Sequence, residues 1–146
     1  MEASKRGLMR HGMALFLLGL ITGLAERNFL NPRMGLAAHL EGVMNGTFLI
    51  AAGAAWGEVE LNRPMRNYVY FAFLAGAYLN WATTSLAAVW GAAALSPITS
   101  DGRSATAWRE AIVTAGFGVV GLLMLSATAI ALWGLRGAGR RAFGKT

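Results

Sequence analysis

Four long runs of apolar residues dominate the sequence and limit what the chain can fold into. Residues 12–25, 68–95 and 112–135 contain no charged side chain, and residues 34–57 are interrupted only by His39, Glu41 and Asn45. A helix of about 20 apolar residues crosses the hydrocarbon core of a bilayer, because each residue adds ~1.5 Å. The sequence therefore predicts an all-α fold, an integral membrane four-helix bundle in one membrane domain over residues 1–146, with helices at approximately 8–27, 34–57, 67–95 and 108–135.

The composition supports this prediction and removes several kinds of site. Hydrophobic residues make up 55% of the chain and charged residues 14%, whereas soluble domains carry about 25% charged residues. The chain has no cysteine. Disulfides, iron–sulfur clusters, thiolate zinc sites and cysteine nucleophiles are therefore excluded.

The positive charges indicate the orientation of the helices. Four spans place the N-terminus, the middle loop and the C-terminus on one side, and that side carries nine basic residues against four on the other. The nine are Lys5, Arg6, Arg10, Arg63, Arg66, Arg136, Arg140, Arg141 and Lys145, and the four are Arg27, Arg33, Arg103 and Arg109. The positive-inside rule then places both termini in the cytoplasm, with the protein in a bacterial-type inner membrane. The net charge of +6 thus reflects topology and membrane lipid contact, and no nucleic acid partner is expected.

A cleaved signal peptide is the alternative interpretation of the first run, because basic residues precede it. The run is long for a signal, and no small-x-small cleavage site follows before Glu26 and Arg27. We therefore expect the first helix to be retained.

Helix two combines a histidine with a stripe of glycines. At 100° per residue His39 shares an arc of about 60° with the glycines of this helix. These glycines are Gly35, Gly42, Gly46, Gly53 and Gly57. One interpretation is close packing against another helix, since Gly42 and Gly46 have small-xxx-small spacing. The other is a haem lying against Gly35, Gly42 and Gly46, with its iron held by His39.

Other polar residues lie on a different face of helix two and on helix three. Glu41 and Asn45 are four residues apart and point well away from His39. Glu41 fits either an ion pair with Arg33 or Arg109 or a functional carboxylate, and Asn45 needs a partner or a substrate at its depth. Helix three adds a polar stripe of Asn80, Thr83 and Thr84, flanked by Tyr78 and Trp81. This stripe fits either interhelical hydrogen bonding or a substrate pocket with aromatic walls.

The second histidine, His11, is too far from His39 to share an iron with it. The two lie near opposite ends of their helices, which separates them by roughly 20 Å of depth. A haem on His39 would then have an open or weakly filled sixth position. An open position favours ligand chemistry over bis-histidine electron transfer.

Residues 31–49 of this sequence resemble the hydroxylaminobenzene mutases, small membrane proteins of nitroaromatic degradation. The opening from Arg10 to Gly23 and the Asn80-Trp81 pair are similar to the same family, so the resemblance covers nearly the whole chain. A more distant resemblance is to styrene oxide isomerase, which shares the pattern of a histidine followed by Asn-Gly six and seven positions later. Here these residues are His39, Asn45 and Gly46.

The resemblance implies a cofactor, an assembly and roles for individual residues. Styrene oxide isomerase is a trimer of four-helix subunits, with haem b at the subunit interfaces and ferric iron as a Lewis acid. By this resemblance His39 is the axial ligand, Asn45 faces the substrate, and Asn80 matches an asparagine of helix three. Thr84 stands where the isomerase has a tyrosine that contacts its substrate, and this departure favours the mutase assignment.

Three hypotheses follow for the function. The first is a mutase that rearranges an arylhydroxylamine, such as hydroxylaminobenzene, to a 2-aminophenol on ferric haem b. In it Asn45 and Asn80 orient the substrate, Thr84 lies beside them, and Glu41 moves the ring proton. The second hypothesis is the opening of an aryl epoxide to an aldehyde. The third is a non-enzymatic haem-binding or helix-packing subunit.

Overall fold

A computed structural model of the chain describes residues 2–93, 95–100 and 102–136. Within these residues the structure is all-helical and has no strand. The helices are α1 (Glu2–Ala25), α2 (Pro32–Ala54), α3 (Arg63–Trp90), the short α4 (Pro97–Ser100) and α5 (Ala107–Leu135). Two 3-10 turns, Glu26–Asn28 and Ala55–Gly57, continue α1 and α2. The four long helices, α1, α2, α3 and α5, have 24, 23, 28 and 29 residues.

The helix ends differ from the prediction by a few residues, for local reasons. α1 begins at Glu2 rather than near residue 8, because the charged residues before the apolar run are also helical. α3 ends at Trp90 rather than near residue 95, since Gly91 takes a left-handed conformation with φ of 67° and caps the helix. α2 and α3 begin after Asn31 and Asn62, whose side chains accept hydrogen bonds from backbone N–H groups of the first turn.

α1 and α2 pack with their backbones unusually close. The buried residues of α1 recur at alternating spacings of four and three, from Leu8 to Thr22, which is the pattern of a left-handed helix pair. A methyl group added at Gly46 would lie 2.7 Å from the Gly12 carbonyl oxygen, and one at Gly19 would lie 2.6 Å from the Val43 backbone nitrogen. Glycines on both helices therefore allow this approach.

The four long helices form an open arrangement rather than a closed ring. α2 packs between α1 and α3, α3 packs against α5, and within the described residues α5 makes no close backbone approach to α1 or α2. The beginning of α1 and the end of α5 lie at the same end of the molecule, where the Glu60 N–H, between α2 and α3, donates to the Gly134 carbonyl (3.1 Å). A gap is left between α2 and α5, with α3 as its floor.

The apolar core is divided into two clusters along the helix axes. The first lies towards the start of α1 and the end of α5 and contains Leu8, Leu15, Leu49, Trp56, Val69, Ala72, Phe73, Ala77 and Ala127. The second lies at the opposite end and contains Met34, Ala87, Ala88, Ala92 and Val113. Between the two clusters α2 and α3 carry several polar side chains, of which we call Glu41, Asn45, Asn80 and Thr84 the polar layer.

Asn31 fixes the connection between α3 and α5 to the start of α2. Its side-chain amide donates to the carbonyls of Thr99 (2.8 Å) and Ser100 (3.2 Å), and its backbone N–H donates to the Ala88 carbonyl (3.0 Å). Asn31 is completely buried, and its oxygen caps α2 through the Met34 N–H. A buried amide whose groups are all bonded in this way holds three segments together.

Two helices, Glu2–Asn28 (α1 with its 3-10 turn) and Ala107–Leu135 (α5), are long and apolar enough to cross a membrane. α2 and α3 have 23 and 28 residues, and polar side chains such as Glu41, Asn45 and Asn80 lie in the middle of their apolar stretches. Large apolar side chains are exposed on all four long helices, among them Leu24, Met44, Phe71 and Leu122. Of the basic residues used to predict topology, Arg140, Arg141 and Lys145 lie outside the described residues.

The close approach of α1 and α2 generates a prediction for two glycines. Gly46→Ala should lower the free energy of unfolding by about 1–3 kcal/mol, because its methyl group meets the backbone of α1. Gly118→Ala on α5, where an added methyl group contacts nothing within 4 Å, should be neutral or raise stability by up to about 1 kcal/mol through helix propensity. Thermal unfolding in mild detergent measures both. Equal effects of the two substitutions would contradict the described packing.

Candidate active site

The polar layer centres on the carboxylate of Glu41. Since α2 and α3 are antiparallel, the middle of one helix faces the middle of the other. Oxygen Oε2 of Glu41 accepts a hydrogen bond from the Asn45 amide on the next turn of α2 (3.0 Å) and a second, short one from the Asn80 amide on α3. The spacing of four residues brings Glu41 and Asn45 together on one face, and only the fold adds Asn80.

A cleft of about 340 Å³ opens beside this carboxylate, in the gap between α2 and α5. Its walls are Met34, Ala37 and Glu41 from α2, Thr84 from α3, Phe117 from α5, and Leu95 and Ser96 from the connection. Asn45 and Asn80 contact Glu41 without lining the cleft. The walls are mainly apolar, with a few polar groups converging at one side, which is typical of a small-molecule site.

Thr84 lies beside Glu41 in the wall of the cleft. Its hydroxyl donates to the backbone carbonyl of Asn80 at 2.9 Å, so its hydrogen is directed along the helix and away from the cleft. The neighbouring Thr83 is buried towards α5, against Gly116. The residues of the polar stripe of α3 therefore differ in their surroundings. Asn80 and Thr84 lie on the side of Glu41 and the cleft, whereas Thr83 packs between α3 and α5.

Arg33 and Arg109 are the ion-pair partners that the sequence suggests for Glu41. The residues that hold its carboxylate are instead Asn45 and Asn80. The guanidinium of Arg109 lies over the rings of Trp90 and Trp108, at 5.7 and 5.2 Å. The Glu41 carboxylate accepts hydrogen bonds from two amides, those of Asn45 and Asn80. Of the two interpretations of Glu41, these contacts favour the functional carboxylate.

His39 lies on the opposite side of α2, against α1. Its Nδ1 is 2.8 Å from the carbonyl oxygen of Gly19. A carbonyl oxygen only accepts, so Nδ1 carries the proton and the lone pair is on Nε2. The ring also packs on Gly23, where a methyl group would come within 2.7 Å of it. This carbonyl contact is the arrangement usually found behind a histidine that binds a metal through its other nitrogen.

The half-buried ring of His39 faces an apolar groove of about 460 Å³ on the outer surface of α1 and α2. The other residues that line the groove are Leu20, Gly23, Leu24, Glu26 and Leu36. Within the described part of the chain, no three His, Cys, Asp or Glu side chains come together as a metal cluster. A single imidazole beside an apolar groove is the kind of donor that a haem iron uses.

Four glycines of the stripe are covered by other parts of the chain, and Gly57 has nothing within 4 Å. Gly42 and Gly46 lie against α1, and Gly35 lies against Phe29 and Glu26. Close contact with α1 and with the turn before α2 is what the helix-packing interpretation of the stripe expects. On this face of α2, His39 therefore lines the groove, whereas Gly35, Gly42 and Gly46 do not.

His39 and Glu41 consequently belong to two different surfaces of one subunit. The histidine faces the groove beside α1, and the carboxylate faces the cleft between α2, α3 and α5. His11 is distant from both, and its Nδ1 lies 3.3 Å from the Tyr78 hydroxyl. Tyr78 therefore contacts α1 and is not among the residues that line the cleft.

Sequence analysis missed several residues of these two surfaces. The sequence pattern predicts Met34 and Phe117 of the cleft only as apolar residues of membrane spans. It does not indicate that Gly19 and Gly23 lie beside His39. Another missed contact joins Trp81 to α1, where its Nε1 donates to the Thr22 hydroxyl at 3.1 Å. All of these contacts join residues distant in sequence, and helical periodicity gives no information about them.

Comparison with known proteins assigns the family. The sequence pattern of the styrene oxide isomerase family matches residues 4–136. Hydroxylaminobenzene mutase HabB of Ectopseudomonas oleovorans is 43% identical over 137 residues, which cover 93% of this chain and 84% of that protein. Hydroxylaminobenzene mutase HabA of the same organism is 44% identical over 108 residues, which cover 73% of this chain and 80% of that protein.

No solved structure matches the chain significantly. The family match covers both α2, with His39, Glu41 and Asn45, and α3, with Asn80 and Thr84. The resemblance found in residues 31–49 therefore extends over the whole of the polar layer. The chain belongs to the styrene oxide isomerase family, with the hydroxylaminobenzene mutases among its relatives, and it is an isomerase.

Proposed function

We propose that the protein rearranges an arylhydroxylamine, such as hydroxylaminobenzene, to a 2-aminophenol. The observation that carries this proposal is the Glu41 carboxylate, held by Asn45 and Asn80 at the side of an apolar cleft. The names of both mutase relatives support the same substrate class. The departure at Thr84 also favours this reaction over the opening of an aryl epoxide to an aldehyde.

The reaction is an isomerisation, and it needs no soluble co-reactant. The N–O bond of the hydroxylamine breaks, a C–O bond forms at the ortho carbon, and that carbon loses its proton while nitrogen gains one. Met34, Ala37 and Phe117 hold the aromatic ring in the cleft, which leaves the N–OH group near Glu41 and Thr84. Asn45 and Asn80 fix the carboxylate, and Glu41 accepts the ring proton so that it can return to nitrogen.

We propose haem b as the cofactor, and His39 is the residue that would hold its iron. The residues fit this group, because the Gly19 carbonyl fixes the His39 tautomer that leaves Nε2 free to bind iron. Ferric iron would supply a Lewis acid that polarises the N–O bond. Gly35, Gly42 and Gly46 are left out of the proposed haem contact, since α1 and the turn before α2 cover them.

The proposed site is shared between subunits of a homotrimer. Within one subunit α2 stands between the groove of His39 and the cleft of Glu41, so a substrate in that cleft does not reach that histidine. Both surfaces are open and bordered by exposed apolar side chains, including Leu24, Leu36 and Leu95. Packing of a second subunit would bring the His39 groove of one chain to the cleft of the next.

The proposed location is the bacterial inner membrane, with both chain ends in the cytoplasm. α1 and α5 support membrane insertion through their length and hydropathy, and the exposed apolar side chains of α2 and α3 would contact lipid or a neighbouring subunit. An aromatic substrate partitions into the bilayer and would reach the cleft from there.

His39→Ala tests the axial ligand. We expect the purified variant to lose both the Soret absorption band and turnover of phenylhydroxylamine to 2-aminophenol. His11→Gln is the matched control, because it removes the second histidine and should keep the band. Full activity in His39→Ala would contradict the proposed haem site, and the absence of a Soret band from the wild-type protein would remove the cofactor from the mechanism.

A mixture of two inactive variants tests the shared site. If each site takes His39 from one subunit and Asn80 from its neighbour, then His39→Ala and Asn80→Ala chains produced together should recover activity. Random mixing at equal amounts restores about a quarter of the sites, because each needs an intact residue from both chains. Each variant alone is the control. A mixture that stays as inactive as its components would show that one subunit supplies the whole site.

A further inference from the structure

The cleft presents hydrogen-bond acceptors to its ligand. Both amide donors reach the same oxygen of Glu41, Oε2, and Oε1 receives no hydrogen bond from a described residue. Glu41 is among the residues that line the cleft, so this free oxygen is the acceptor available there. An ionised carboxylate offers acceptors only.

The other polar groups in the wall have little donor capacity left. The Thr84 hydroxyl donates to the Asn80 carbonyl at 2.9 Å, and the Ser96 hydroxyl is bonded to that of Thr99 at 2.5 Å. The remaining lining residues, Met34, Ala37, Leu95 and Phe117, have no side-chain donor. Among the described side chains of the wall, a polar ligand therefore meets free acceptors rather than free donors.

We propose that Glu41 determines specificity, because its Oε1 selects substrates that donate a hydrogen bond. An arylhydroxylamine has N–H and O–H donors and satisfies this oxygen. An epoxide offers only an acceptor oxygen, which leaves Oε1 desolvated and without a partner in a half-buried position. A site that holds an unpaired polar group in this way discriminates strongly against the ligand that lacks the donor.

This inference rests on the proposed function and explains which of two related substrates the cleft accepts. Phenylhydroxylamine and styrene oxide are of similar size, and the apolar walls do not distinguish them. They differ in that phenylhydroxylamine donates hydrogen bonds and styrene oxide only accepts them. This difference is sensed by Oε1 of Glu41. Asn45 and Asn80 are positioning residues here, since they hold Oε2 and thereby turn Oε1 to the ligand.

Glu41→Gln tests the inference by reversing the polarity of that atom. Glutamine is isosteric with glutamate, and its single oxygen is needed to accept from Asn45 and Asn80. Its Nε2 then replaces Oε1 and presents a donor to the cleft. Loss of a structural residue or of a proton acceptor would weaken the binding of every ligand. The reversal at this atom instead weakens the binding of hydrogen-bond donors and strengthens the binding of acceptors.

The measurement compares two small probes on the purified, cofactor-loaded protein. Aniline is the donor, acetophenone is the acceptor, and calorimetry in detergent gives both dissociation constants. We expect Glu41→Gln to weaken aniline binding and to strengthen acetophenone binding, each by about tenfold. Since the two proteins are compared probe by probe, any binding elsewhere contributes equally to both and cancels.

Glu58→Gln is the control for charge, because Glu58 is exposed at the opposite end of the molecule. It should change neither constant. The thermal unfolding midpoint of Glu41→Gln, compared with the wild type, shows whether the variant is folded. Equal shifts for both probes in a folded variant would overturn the inference.

Turnover separates failure of this inference from failure of the proposed function. A wild-type protein that converts phenylhydroxylamine, but in which Glu41→Gln shifts the binding of both probes equally, keeps the function and loses the inference. If Glu41→Gln reverses the preference between the two probes but the wild-type protein converts no arylhydroxylamine, the inference about Glu41 holds and the proposed substrate is wrong.

Discussion

The contact of α1 with α2 through glycines is the constraint on which both candidate surfaces depend. Gly12 and Gly19 on α1 meet Gly42 and Gly46 on α2 with no side chain between them. This contact fixes the rotation of α2 about its own axis. With that rotation fixed, His39 lies against the Gly19 carbonyl on one side, and Glu41 faces α3 on the other. The glycines thus set the orientation of α2 and, with it, the directions in which His39 and Glu41 face.

The polar layer is compatible with an apolar core because its members bond to one another. A carboxylate placed between two hydrophobic clusters would be strongly destabilising without partners, and the amides of Asn45 and Asn80 supply them. The same contacts join α2 to α3 at mid-height. In the proposed function, stability and activity would therefore depend on one group of residues, and removal of either asparagine should affect both.

Local features of the fold could be predicted from the sequence, while the contacts between helices could not. Apolar runs gave the four long helices, and the 100° rotation per residue correctly placed His39 and Glu41 on different faces of α2. Two interpretations of the glycine stripe stayed open, because spacing does not say which neighbour covers a face. The pairing of Glu41 with Asn80 and the presence of Phe117 in the cleft depend on how α3 and α5 dock. The residues 1, 94, 101 and 137–146 fall outside this comparison.

The buried amide of Asn31 gives the cleft a fixed wall. It ties Thr99 and Ser100 to the start of α2, and the carboxylate of Glu110 accepts from the Ala93 and Ala105 N–H groups on the other side of the same connection. Leu95 and Ser96 are thereby held between two anchored points. In the proposed function, this connection would set the shape of the space that is open to the substrate. Relatives that keep the two anchors could therefore change the residues between them, and with those the size of aromatic ring admitted, without rearranging the helices.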